Sequence, residues 1–147
     1  MIMNREMSML LFAAAIGLMA LFSFARCAHG QNTSRDIGGQ PVKYFSDATT
    51  NSTLVASGYR TLTGAVVINT TATLYYLKLY DKATAPVCGT DTPVQVYPIP
   101  ASASGNGFAL PMNIGFVSGM GFCLTGGMAD NDVTGAATGV AINLTYK

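Results

Sequence analysis

Between Thr53 and Lys147 the sequence breaks into about eight short apolar runs parted by Gly, Pro, Asn and Asp. Spacing of this kind leaves little room for anything but stacked antiparallel strands. The runs are TLVAS (Thr53 to Ser57), TLTGAVVIN (Thr61 to Asn69), TLYYLKLYD (Thr73 to Asp81) and PVQVYPI (Pro93 to Ile99). They continue with GFAL (Gly107 to Leu110), NIGFV (Asn113 to Val117), GFCLT (Gly121 to Thr125) and GVAINLTYK (Gly139 to Lys147). In the last of them Val140, Ile142, Leu144 and Tyr146 alternate with Ala141, Asn143, Thr145 and Lys147, so one face is buried and the other wet. Pro98, Pro100 and Pro111 would break a helix and belong at strand ends or sheet edges. The pattern predicts an all-β fold, an antiparallel β-sandwich or jelly roll of about eight short strands, preceded by one N-terminal hydrophobic helix.

That helix is read from Met7 to Ala25, nineteen residues without a charge, between Arg5 and Arg26. A basic start, an apolar stretch and the ending Ala28-His29-Gly30 fit a secretory signal peptide cleaved before Gln31. At about 1.5 Å per residue the run also nearly spans a bilayer core, so an uncleaved membrane anchor is the alternative for residues 1–30. Lipidation of Cys27 fits less well, because Arg26 stands where a small residue is expected. Residues 31–52 are polar and without sustained periodicity, and read as a linker or arm. Their apolar knot of Val42, Tyr44 and Phe45 either docks an arm on a neighbour or starts the first strand. The sandwich domain is placed at 53–147.

Half of the chain is hydrophobic and only a tenth is charged. From Gln31 onward six basic residues face six Asp, so the body is neutral and carries no basic stripe for nucleic acid. Export would leave Cys88 and Cys123 as an even pair in an oxidising compartment. They are a disulfide candidate, with two separately buried thiols as the equal alternative.

No His, Glu or Trp follows Gly30, which removes Ser-His-Asp and Cys-His nucleophile systems from the body. Asp81 and Asp91 would have to supply any acid pair, and they read more simply as the margins of a solvated loop. Asp130-Asn131-Asp132 places oxygen ligands at alternate positions, a weak metal candidate whose continuation, Val133-Thr134-Gly135, supplies no further ligand. The glycines from 115 to 127 lack nucleotide-binding spacing, and no cofactor is expected. Asn-x-Ser/Thr triplets stand at Asn32, Asn51, Asn69 and Asn143. Alternation puts Tyr76 and Tyr80 on one strand face, a possible carbohydrate-stacking surface, with packing inside the fold as the more economical reading.

From Thr50 to Lys147 the chain resembles small β proteins of tailed phages and prophages, which are encoded among virion structural genes. KLYDKATAP, GTDTPV and the closing NLTYK carry the resemblance, together with the glycine-linked strands FALPMNIGFVSGMGFCLT. It implies a non-enzymatic capsid-decoration, head-fibre or tail-associated component that forms homo-oligomers or docks on a capsid, tail or surface assembly. The expected location is therefore exported or virion-bound, with membrane contact only through residues 1–30. A secreted bacterial binding module or adhesin is the alternative.

Overall fold

The computed structural model describes residues 39–110 and 113–147. The N-terminal apolar segment, Cys27 and Asn32, with the signal and anchor readings attached to them, lie outside the described residues. Within these residues the protein is all-β, with nine strands and no helix. In chain order they are β1 (Gln40–Phe45), β2 (Thr53–Ser57), β3 (Arg60–Asn69), β4 (Tyr75–Asp81) and β5 (Gln95–Ile99). β6 (Gly107–Leu110), β7 (Ile114–Phe116), β8 (Gly119–Thr125) and β9 (Val140–Tyr146) complete the set.

β1 falls inside the stretch read from sequence as a linker. Its half-buried Val42 and Tyr44 pack on the core, and the strand pairs antiparallel with β9 from Gln40–Tyr146 to Phe45–Ala141. The folded body therefore starts before Thr53, and the apolar knot begins a strand.

The strands form two antiparallel sheets. One has five strands in the order β1-β9-β3-β6, with β7 also on β3, and the other runs β2-β8-β4-β5. Period-two alternation decides what lies between them. Leu62, Val67, Ile142 and Leu144 point inward from the first sheet and Leu77, Leu79, Phe122 and Leu124 from the second, all with no more than 1% exposure. Tyr44 meets Phe122 edge to face across the gap, with ring centroids 5.0 Å apart. The arrangement is sandwich-like, with one shared core.

A single folded ribbon joins the sheets. Ala56 faces Met120 and Ser57 faces Gly119 in one sheet, and Arg60 faces Phe116 and Leu62 faces Ile114 in the other. The register is unbroken across the bend, where the Gly58 N–H donates to the Ser118 carbonyl at 2.8 Å. Gly58 supplies the positive φ of 75° that the bend needs. A Cβ on Gly119 would run into the Lys82 and Ala56 carbonyl oxygens, so the second strand of the ribbon also requires glycine. The register places Tyr59 opposite Val117, both exposed, at the outside of this corner.

Candidate functional site

The polar chemistry of the body gathers on the outer face of β4. With Tyr75, Leu77 and Leu79 turned to the core, alternation sends Tyr76, Lys78 and Tyr80 to the other side of the sheet. On neighbouring β8 they stand opposite Thr125, Cys123 and Gly121. A strand face bearing a lysine is ordinarily wet, yet Lys78 and Tyr80 are both 0% exposed. Two segments cover them. One is the Lys82–Val94 connection and the other the loop from Gly126 to Gly135.

Cys88 of the first segment is bonded to Cys123 of β8, with an S–S distance of 2.03 Å and Cα atoms 6.1 Å apart. Pro86 of the same segment lies over Gly121, where an added Cβ would sit 2.9 Å from Pro86 Cδ. Ser52 Oγ donates to the Pro86 carbonyl, and Lys82 Nζ pairs with Asp91, whose carboxylate also accepts the Val87 N–H at 2.6 Å. The second segment is held by Asp132. Its Oδ1 accepts the Gly127 N–H at 3.1 Å, the Thr134 N–H at 3.0 Å and the Thr134 hydroxyl at 2.6 Å. The segments meet where Gly89 abuts Val133 and Asn131. Together they roof the sheet.

Under the roof Lys78 Nζ donates to the Ala129 carbonyl. Burial pulls the ammonium below its usual pKa, while Asp132 and Asp130 pull the other way. The Tyr80 hydroxyl is enclosed without a hydrogen-bond partner, and burial first, then the charges of Asp130 and Asp91, push it up to about 12. Tyr80 therefore offers no ring to a sugar, while Tyr76 is half-buried at the margin of the same face.

The acidic residues singled out from sequence have definite work to do. Asp81 accepts the backbone N–H groups of Val117, Ser118 and Gly119 and so pins the corner of the ribbon. The Val117 bond leads in holding its carboxyl below the usual range. Asp91 is lowered chiefly by the Lys82 ammonium and Asp132 chiefly by the Thr134 hydroxyl. Asp130 stands exposed beside them. No group of three or more metal-binding side chains assembles among the described residues.

Two of the Asn-x-Ser/Thr triplets are turn anchors. Asn51, at a φ of 54°, accepts the Asp47 N–H and the Tyr44 hydroxyl through Oδ1 and donates to the Asp47 and Thr49 carbonyls. Asn69 accepts from the Thr71 N–H and hydroxyl and donates to the Thr73 and Pro100 carbonyls. Both are buried. Asp47 with Thr49 and Asp132 with Thr134 repeat the pairing made by Asn69 with Thr71, an Asx side chain taking both donors of a Thr two residues on. Asn143 instead sits half-buried on β9 between Lys43 and Val66.

Lys78 is the residue that sequence reasoning passed over. Its signal is a single charge inside YYLKLY, a run otherwise made of Tyr and Leu. No family model, no curated protein and no solved structure matches this chain.

Proposed function

We propose that the protein is a non-enzymatic structural or surface-display module that associates with itself or docks on a larger assembly, as virion decoration, head-fibre or tail-associated proteins do. The observation that supports this most is the use to which its polar side chains are put. Asp81, Asp91, Asp132, Asn51, Asn69 and Lys78 all bond to backbone, fixing the shape of turns and loops or, at Asp81 and Lys78, holding a loop to a strand. Surface built this way holds a shape. The folded ribbon and two-sheet core support the finer reading as a jelly-roll type of sandwich. Particles purified from a producing culture test the virion version by mass spectrometry. Stoichiometric amounts of the chain are expected, and its absence from the particles overturns that version.

The Cys88–Cys123 bond favours a second reading, an exported binding module, because such bonds persist in oxidising compartments. A glycan array probed with wild type and a Tyr76→Ala variant separates the two readings. Sugar binding lost in the variant supports the second, and no binding removes it.

A further inference from the structure

We propose that the Cys88–Cys123 bond is a redox-sensitive latch. Its reduction by a dithiol lifts segment 82–94 from the outer face of β4 and β8 and uncovers Lys78 and Tyr80, while the two-sheet core stays folded. The lid and the core are separate. No residue of 82–94 or 126–135 belongs to the hydrophobic cluster between the sheets. Cys123 also faces away from that cluster, because its neighbours Phe122 and Leu124 point into it. The bond therefore joins a loop to the back of β8, and cutting it leaves the packing between the sheets intact.

The lid is a strap fixed at both ends and near its middle. At the ends the Lys82 N–H donates to the Gly119 carbonyl at 2.9 Å and the Val94 N–H to the Leu79 carbonyl at 2.8 Å. The Lys82–Asp91 pair and the bond from the Val87 N–H to Asp91 lie within the segment, so they shape it without holding it down. Cys88–Cys123 is its covalent tie to the sheet, helped by the Ser52 hydroxyl on the Pro86 carbonyl and by the packing of Pro86 on Gly121. With the middle tie cut, the strap is a loop held at its ends. The 126–135 loop then loses Gly89, on which Val133 and Asn131 rest.

The groups beneath work against the latch. The Tyr80 hydroxyl is buried without a partner, and Lys78 is a fully buried cation held by one carbonyl. Water entering under a lifted lid gives the hydroxyl its missing bond and hydrates the ammonium, so hydration favours the open state once the bond is gone. Cys88 is only half-buried, and exposed disulfides are the labile ones. A thiolate of the dithiol attacks the Cys88 sulfur, the S–S bond breaks, and Cys123 leaves as a thiolate. The reagent's second sulfur then closes on its first and releases Cys88. Two electrons and both protons of the dithiol end on the two cysteines, and the reagent becomes a cyclic disulfide. An oxidising compartment closes the lid again.

Pulsed acetylation of lysines by an N-hydroxysuccinimide ester, read by mass spectrometry with and without dithiothreitol, tests this. Reduction should speed modification of Lys78 by about tenfold or more, as local opening removes its protection. Lys43 and Lys147, exposed in the closed form, should label at unchanged rates. Backbone hydrogen exchange in β3 and β9 should also stay slow. The double variant Cys88→Ala, Cys123→Ala, which has no bond to cut, should label like the reduced chain without any reductant. Replacing dithiothreitol by glutathione disulfide should restore the protection of Lys78. A Lys78 that stays equally protected in the reduced chain and in the double variant overturns the latch. Exchange in β3 and β9 that quickens together with Lys78 labelling makes the bond a staple of the whole fold and likewise overturns it. Protection that does not return on reoxidation overturns the switch.

Discussion

The four-stranded sheet turns Tyr76, Lys78 and Tyr80 outward and covers them with two loops and a disulfide. The five-stranded sheet turns Phe45, Val66 and Ile68 outward, and no described segment covers them. The face that carries a lysine and a tyrosine hydroxyl is thus dry, while Phe45 and Val66 stay exposed on the other. Burying a lysine and a tyrosine hydroxyl is costly unless they are bonded, so the roof must be held firmly from outside the sheet. Covalent and ionic ties concentrate there, in Cys88–Cys123, Lys82–Asp91 and Asp132. The opposite face mixes Phe45, Val66 and Ile68 with Lys43 and Asn143, and no loop among the described residues is tied over it.

The largest expected effect breaks the roof covalently. The bond closes a loop with a sequence separation of 35. Replacing both cysteines by Ala should cost about 4 kcal/mol on the chain-entropy account. Urea denaturation of the oxidised and double-Ala proteins measures this, and hydrogen exchange should quicken in the roof before it does in β1, β9 or β6. Next comes Gly121→Val, which pushes a side chain into Pro86 and should cost about 1–3 kcal/mol through overpacking. Ala109→Val on the open face should stay within about 0.5 kcal/mol. Equal losses at the two sites would erase the difference between the faces.

Alkaline titration sharpens the comparison further. Tyr80 ionises near 12 in the fold against an ordinary value of 10.0. Its stabilising contribution is thus complete below pH 10 and is lost as pH rises from 10 toward 12. Lys78 works in the opposite sense, since its lowered pKa means that stability is gained as pH climbs toward 10.5. Tyrosinate absorbance should show one residue ionising last, and Tyr80→Phe should remove that final step. The smallest effect is at the acid end. Asp91 and Asp132 are depressed below 3.8, so their contribution is present above that value and fades as pH falls through the folded-state pKa. Hydrogen exchange at pH 3 should accelerate more in the roof loops than on the open face.

The strands themselves were largely legible. Every apolar run from Thr53 onward became a strand, because alternation and turn residues report local backbone preference directly. β1 was obscured by Gln40, Pro41 and Lys43, residues that an edge strand tolerates because only one flank is paired. Lys78 was obscured for a different reason. Alternation assigns it correctly to the outer face, but whether that face is wet depends on segments that arrive from residues 82–94 and 126–135. Asn51 and Asn69 look like glycan acceptors when read as triplets and are buried turn anchors when their backbone partners are known. What the sequence hides is the identity of long-range partners.

The ribbon bent at Gly58 carries a consequence for how the molecule comes apart. Residues 53–62 and 114–122 run as one paired ribbon from the four-stranded sheet, through β2 and β8, into the five-stranded sheet, through β3 and β7. Partners so far apart along the chain meet only after a long loop has closed, which makes this step slow. Once it has formed, loss of either sheet removes pairing from the other. Two sheets joined by one continuous ribbon, its corner pinned by Asp81, should therefore melt in a single transition.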